Sequence, residues 1–276
     1  APEATAGGEA TATASMRRRL PLAVAVALGT GLTLAGLTSG ETPATIGFVV
    51  LGLLLGVPAF ARLTPSGTLR AARGLPAAVL LRGIMTFAFF GVDAYIALAL
   101  VDGRGLTAAQ AGISLTAATI TWTAGSWVQA RCATRISPER FIGLGLPVVI
   151  VGLAAFTAVL HPAVTPWAAI PTIALAGFGM GLAYAPTTLI VLRRAAPVEQ
   201  GSASAALSLA DSLGTALGTG VTGAFVAAAV RAGDGAASGL LPGFAVAIGV
   251  AVVGLILSPR LGPGRVASPA VVAAEA

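Results

Sequence analysis

Lysine is missing altogether from the 276 residues, and histidine and cysteine occur once each. A lone His161 and a lone Cys132 fall short of the four ligands that a structural zinc site needs, and Cys132 has no internal partner for a disulfide. No metal or other cofactor is therefore expected. Aromatics make up 5% of the chain and charged residues 9%, against roughly a quarter charged in an ordinary soluble domain. With mean hydropathy at +0.92, a soluble monomer of this composition would expose large apolar patches. Soluble enzymes, nucleic-acid binders and disordered chains are excluded on that ground. An intramembrane hydrolase is also disfavoured: no Gly-x-Ser-x-Gly occurs, and His161 sits in a short loop before a proline.

What is present is apolar: 56% hydrophobic residues, with 36 glycines besides. A bilayer core of ~30 Å takes about twenty apolar residues in helix. Eight segments meet that need, 20–38, 44–61, 76–101, 108–131, 140–160, 166–192, 201–230 and 240–258. They are apolar on all faces rather than alternating, which predicts helices and not barrel strands. The expected fold class is all-α, a polytopic protein of about eight transmembrane helices in contact with the lipid bilayer. Residues 1–15 are small and polar, so a leader of 1–19 is expected to be disordered, as is a cytoplasmic tail of 261–276.

The net charge of +6 comes from sixteen arginines that cluster between apolar blocks, a topology signal and not a nucleic-acid-binding face. Arg17, Arg18, Arg19, Arg62, Arg70, Arg73, Arg131, Arg135, Arg140, Arg193, Arg194, Arg260 and Arg265 fall on one side, against Arg104 and Arg231 on the other. Both termini are thus expected in the cytoplasm of a multi-pass cell-membrane protein.

Local chemistry marks several helix starts. Thr107-Ala108-Ala109-Gln110 reads as a capping box, and Ser137-Pro138-Glu139 and Thr165-Pro166 as caps followed by proline. Pro58, Pro147 and Pro186 lie inside spans and predict kinks. Gly52/Gly56 and Gly214/Gly218 allow close helix crossings.

Polarity is uneven among the spans. The fifth and eighth carry almost no polar side chains and are expected to face lipid. In the seventh, Ser204, Ser208, Asp211, Thr215, Thr219 and Thr222 recur every three or four residues and form one stripe. Thr119, Trp122, Ser126 and Gln129 do the same in the fourth span, and Arg82, Thr86 and Asp93 share a face of the third. Hydroxyls alone are equally explained by helix packing. A carboxylate near the bilayer centre is costly and usually turns to a cavity or a partner. Asp211, ~15 Å along its helix, is the foremost candidate for a functional acid, with Asp93 and Arg82 behind it.

Three stretches resemble a known family. Gly105-Leu106-Thr107-Ala108-Ala109-Gln110-Ala111-Gly112, leading through a helix into Arg131 and Arg135-Ile136-Ser137-Pro138-Glu139-Arg140, is similar to the segment before and within the basic cytoplasmic loop of major facilitator superfamily transporters. Gly177-Phe178-Gly179-Met180-Gly181, then Pro186, resembles the glycine-rich helix two spans later. Arg193 to Ser204, with Leu213-Gly214-Thr215-Ala216-Leu217-Gly218, is similar to the penultimate helix of the fourteen-span drug:proton antiporter branch.

The resemblance covers residues 76–258. It implies that 71–260 form the six-helix carboxy-terminal bundle and 20–70 an additional helix pair. It implies as partner an amino-terminal six-helix bundle that this sequence lacks. By the same likeness, Thr86, Thr119, Trp122, Ser126, Gln129, Tyr184, Ser204, Ser208, Thr215 and Thr219 would line a substrate cavity. Asp211, Asp93 and Arg82 would be candidates for proton coupling. Arg131, Arg135 and Arg140 would form a cytoplasmic gating loop, and Gly177, Gly179, Gly181 and Pro186 would bend their helix. The implied activity is proton-coupled export of small amphiphilic compounds by alternating access. The basic loop departs from the family pattern at its start, and Asp211 stands where the branch often has glutamine or arginine. A non-transporting scaffold, or a half-size subunit needing a partner bundle, is the alternative.

Overall fold

A computed structural model of the chain describes residues 3–40 and 42–262, with side chains from Arg19 onward. The described residues are predominantly helical, with no strand among them. They fall into two compact units, 1–66 and 67–276.

The first unit is a helical pair, α1 (Glu3–Ser39) and α2 (Thr42–Leu63). Gly36 lies against Phe48 and Gly29 against Gly52 and Gly56, so the helices run antiparallel. Glycine at both Gly29 and Gly52 lets each backbone approach the other, the small-residue packing expected of Gly52/Gly56. Thr33, buried at the same crossing, returns its hydroxyl to the Gly29 carbonyl at 2.8 Å. Gly40, at φ +79°, ends α1 in the left-handed region that glycine adopts freely.

Helix α1 starts at Glu3, within the 1–19 leader expected to be disordered, and continues into the apolar segment from Arg19. The leader is rich in alanine, the strongest helix former, and elongation from an existing helix avoids the cost of nucleation. Residues 1–2, and the tail from 263 that was also expected to be disordered, lie outside the described residues.

The second unit contains α3 (Leu75–Asp93), α4 (Ile96–Val101), α5 (Ala108–Cys132), α6 (Pro138–Ala158), α7 (Ala169–Arg194), α8 (Gln200–Ala232) and α9 (Leu240–Leu257). Glycine contacts give the pairing directions. Gly83 meets Ala210, Gly91 meets Gly218 and Gly223 meets Tyr95, so α3 and α8 run parallel. Gly177 meets Ala118 and Gly181 meets Trp122 and Ser126, so α5 and α7 are parallel too. Gly145 and Gly152 seat α6 antiparallel on α7, at Gly179 and Ala176. Gly254, against Ile84, and Ala247, against Gly91, place α9 antiparallel to α3. Phe156 of α6 and Phe244 of α9, both fully buried with rings 5.9 Å apart, close the apolar side of the bundle.

Among the described residues, seven helical segments are long and apolar enough to cross a membrane, including Arg19–Ser39, Leu75–Val101 and Pro197–Ala232. The remaining expected span is α5, whose 25 residues are long enough but carry five threonines or serines between Ser114 and Thr123, besides Ser126 and Gln129. Its first turn is the capping box: Thr107 Oγ1 accepts from the Gln110 amide and Gln110 Oε1 from the Thr107 amide. Ser137 does occupy the cap position of α6, with Pro138 next, but its buried hydroxyl makes no capping bond. The third span is interrupted at Ala94–Tyr95, where the Tyr95 hydroxyl donates to the Thr219 carbonyl at 2.9 Å. Just beyond α4, Arg104 clasps the His161, Pro162 and Val164 carbonyls, tying the α4–α5 loop to the α6–α7 loop.

Candidate functional site

Arg82, two turns into α3, is only 3% exposed and turns into the bundle rather than toward the helix end. An arginine this deep needs every donor engaged or paired. Its partners come from one turn of α7: Nε donates to Thr187 Oγ1 at 2.8 Å, and Nη2 donates to Thr188 Oγ1 at 2.7 Å and to the Tyr184 carbonyl at 2.9 Å. Tyr184, Thr187 and Thr188 stand at i, i+3 and i+4, so one helical face delivers all three. The guanidinium carbon lies 3.5 Å from the centroid of the Tyr184 ring, a cation–π contact.

The third wall is α8. Asp211 Oδ1 is 3.6 Å from Arg82 Nη1, and Asp211 Oδ2 accepts from the Tyr184 hydroxyl at 3.1 Å. Oδ1 is buried and makes no hydrogen bond, while the side chain as a whole remains 30% exposed. Asp211 therefore stands with one oxygen inside, facing a guanidinium, while its side chain is partly open to the outside of the bundle. The helices come this close because Gly214 lies against the Gly83 carbonyl and the Thr86 hydroxyl, and Gly218 against the Phe87 carbonyl. Thr86 fastens the crossing by donating to the Asp211 carbonyl at 3.1 Å.

Trp122 of α5 covers the cluster. Its ring centroid is 5.4 Å from that of Tyr184 and 5.3 Å from that of Phe89, with Phe90 at 6.4 Å. The result is a charged pair that touches the Tyr184 ring, from which an aromatic cluster of Trp122, Phe89 and Phe90 continues, arranged between α3, α5, α7 and α8.

The other residues expected at the site divide. Thr119 and Ser208 are exposed on the bundle surface, and Ser204, Thr215, Thr219 and Ser126 are half-buried. Thr116, Thr119 and Thr123 form an exposed hydroxyl row on α5, each bonded to the carbonyl four residues back. Thr86 and Gln129, expected to line a cavity, are 0% and 6% exposed and sit inside the bundle instead. The stripe on α5 was drawn too wide: Gln129 lies on the buried side and Thr119 on the open side. Thr222, at the end of the α8 stripe, is buried against Gly243 of α9.

Asp93 is half-buried at the end of α3 and joins none of these contacts, ~16 Å along the helix from Arg82. Arg131 stacks on Trp127 at 3.8 Å, and Arg135 and Arg140 are exposed. Gly177 and Gly181 seat α5, Gly179 seats α6, and Pro186 is buried within a continuous α7. Close packing on two sides thus accounts for the glycines that had been assigned to a bend.

Thr187 and Thr188 were missed. Their signal was present: two hydroxyls one turn beyond Tyr184, in the turn that follows Pro186. That proline had been read only as a kink. The basic partner of Asp211 is Arg82, supplied from α3.

Helices of membrane-spanning length packed through glycines around a buried charge pair define a polytopic, all-helical membrane protein. Residues 61–219, more than half of the chain, match the family described as Major Facilitator Superfamily. The chain belongs to that superfamily, and so to membrane transporters rather than enzymes. A search of curated proteins finds no match. Among solved structures, the chain is similar to the crystal structure of a bacterial homolog to the human lysosomal transporter Spinster in an inward-facing and occupied conformation. Identity is 16% and the TM-score 0.49, over 92% of this chain and 68% of that one.

Proposed function

We propose that the chain is the carboxy-terminal part of a proton-coupled exporter of small amphiphilic compounds, resident in the cell membrane with both termini in the cytoplasm. Substrate and proton pass by rocking of two bundles about a midplane site, the bundle of 71–260 and an amino-terminal six-helix partner. The observation that carries the reading is the Asp211 carboxylate, within ion-pair reach of Arg82 yet partly open. Ionised, it attracts Arg82 and holds α8 toward α3 and α7. Protonated, it releases that attraction while Arg82 keeps its three hydrogen bonds to α7. A carboxylate with two such states couples proton occupancy to helix position. Trp122, Tyr184 and Phe90, all part-exposed, offer flat apolar faces to an amphiphilic substrate, with the hydroxyls of α5 and α8 beside them. The loop bearing Arg131, Arg135 and Arg140 gates the cytoplasmic side, and Asp93 is a second candidate for proton passage.

The test uses everted membrane vesicles carrying the chain within its transporter and an imposed pH gradient, with ethidium uptake as the readout. Asp211→Asn abolishes gradient-driven uptake while the protein remains folded and inserted. Undiminished uptake by that variant removes Asp211 from the mechanism. Uptake that ignores the gradient removes the proton.

A further inference from the structure

Away from the charge pair, the residues that end α7 and α9 and begin α3 enclose a cleft of ≈ 370 Å³ lined by Arg73, Gly74, Arg194, Pro259 and Gly262. Gly74 and Gly262 have φ of +93° and +82°, and the Arg194 guanidinium lies across both, where a side chain at either position would meet it. Arg194 is half used: Nη2 donates to Glu139 Oε1 at 3.1 Å, and Nη1 has no hydrogen bond among the described residues. Arg73 is exposed and makes no hydrogen bond or ion pair among the described residues. The floor is fixed by Arg260, whose carbonyl accepts from the Gly74 amide and whose Nη1 donates to the Arg70 carbonyl at 2.9 Å. Glu139 is the one acid that the described contacts bring to this cleft, and Arg194 already occupies it.

An apolar strip leads to the same place. Val252, Ile256 and Pro259 stand at i, i+4 and i+7 on α9 and the turn after it. Val252 and Ile256 are 39% and 70% exposed, and Pro259 lines the cleft. A row of uncovered aliphatic side chains that ends under the free Arg73 guanidinium and the half-engaged one of Arg194 matches an acyl chain below a phosphate. Two arginines at the end of membrane spans suit that phosphate, because the guanidinium fork binds it with paired donors. The arginine count assigns this end of the bundle to the cytoplasm, the leaflet in which anionic lipid concentrates.

We propose that the Arg73–Arg194 cleft binds the phosphate of an anionic phospholipid headgroup, with an acyl chain along Val252 and Ile256. Binding there joins the starts and ends of α3, α7 and α9 through the lipid. Native mass spectrometry of the full chain in neutral detergent, titrated with phosphatidylglycerol or with phosphatidylcholine of the same acyl chains, reads the bound lipid. Phosphatidylglycerol is expected to bind several-fold more tightly. Arg73→Gln weakens it roughly fivefold, the share of one interfacial arginine, and leaves phosphatidylcholine unchanged. Arg135→Gln, an exposed arginine in another loop, has no such effect. Ile256→Asn weakens phosphatidylglycerol while the arginines stay in place, and carries the test should Arg73→Gln fail to fold. Equal binding of the two lipids overturns the proposal, as does equal loss in Arg135→Gln. Inorganic phosphate that displaces phosphatidylglycerol, together with indifference to Ile256→Asn, makes the cleft a free-anion site and overturns it as well.

Discussion

Arg82 Nη1 stops 3.6 Å from Asp211 Oδ1, so the two opposite charges attract without sharing a hydrogen bond. Arg82 spends its other donors on α7, and Asp211 spends its other oxygen on Tyr184. The pair is therefore a loose electrostatic contact between α3 and α8, held in place by hydrogen bonds that do not depend on it. A contact of this kind can be released without dismantling the site around it. Asp211→Asn is expected to keep the fold, because Arg82 retains its three bonds to α7. Arg82→Gln should cost more, since it empties two threonine hydroxyls and leaves Asp211 without a countercharge in a buried setting.

A double-mutant cycle separates the two contributions. Arg82→Gln and Asp211→Asn together should be less damaging than the sum of the single changes, with a coupling of about 1 kcal/mol in thermal-unfolding measurements on the purified protein. Strict additivity would mean that the charges do not sense each other, and the coupling role given to Asp211 would go with it.

The helix crossing beside the pair gives a sharper structural test. Gly214 faces the Gly83 carbonyl and the Thr86 hydroxyl, leaving no room for a methyl group, whereas Gly249 on α9 and Gly201 on α8 face open space. Gly214→Ala is expected to destabilise by about 1–3 kcal/mol, as overpacking does, and to push α3 from α8. Gly249→Ala and Gly201→Ala should leave the unfolding temperature where it is. Equal tolerance at all three positions would contradict the α3–α8 crossing.

The spans were legible because twenty apolar residues between arginine clusters are an unambiguous pattern. Apart from the start of α1 and the break in the third span, the observed helices start and stop within a few residues of the expected ones, and the Thr107–Gln110 box marks the start of α5. Direction of pairing was not legible, since a glycine shows that something comes close but not what. The fate of individual polar residues was harder still. Thr119 and Gln129 lie ten residues apart, which on a helix of 3.6 residues per turn drifts far enough to separate the open side from the buried one. Thr187 and Thr188 carry no charge, and their importance follows from Arg82, which reaches them across more than a hundred positions of sequence. The break at Ala94–Tyr95 has no proline or glycine to announce it.

Orientation is testable through the lone cysteine. Cys132 is half-exposed at the end of α5, beside the loop of Arg131 and Arg135 that the arginine count assigns to the cytoplasm. In intact cells a membrane-impermeant maleimide should leave it unlabelled, and in everted vesicles the same reagent should label it. Labelling from outside would reverse the topology and with it the side of every arginine loop.

The exposed hydroxyls of α5 and α8 make the last distinction, between a water-filled cavity and lipid. Thr116, Thr119 and Thr123 already satisfy their own hydroxyls against the carbonyls four residues back, so a lipid-facing position would not leave them unbonded. What water would add is chemical access. In a Cys132→Ser background, single cysteines at Thr119, Thr123 and Ser208 should react with a charged methanethiosulfonate at least tenfold faster than cysteines at Leu144 or Val253. Leu144 and Val253 are as exposed as those hydroxyls but lie on the apolar α6 and α9, where lipid excludes the reagent. The bundle's two open faces then differ in solvent, α5 and α8 meeting water and α6 and α9 meeting hydrocarbon. Equal reactivity on both faces would leave Asp211 with no aqueous route for a proton, and the transport cycle built on it would fail.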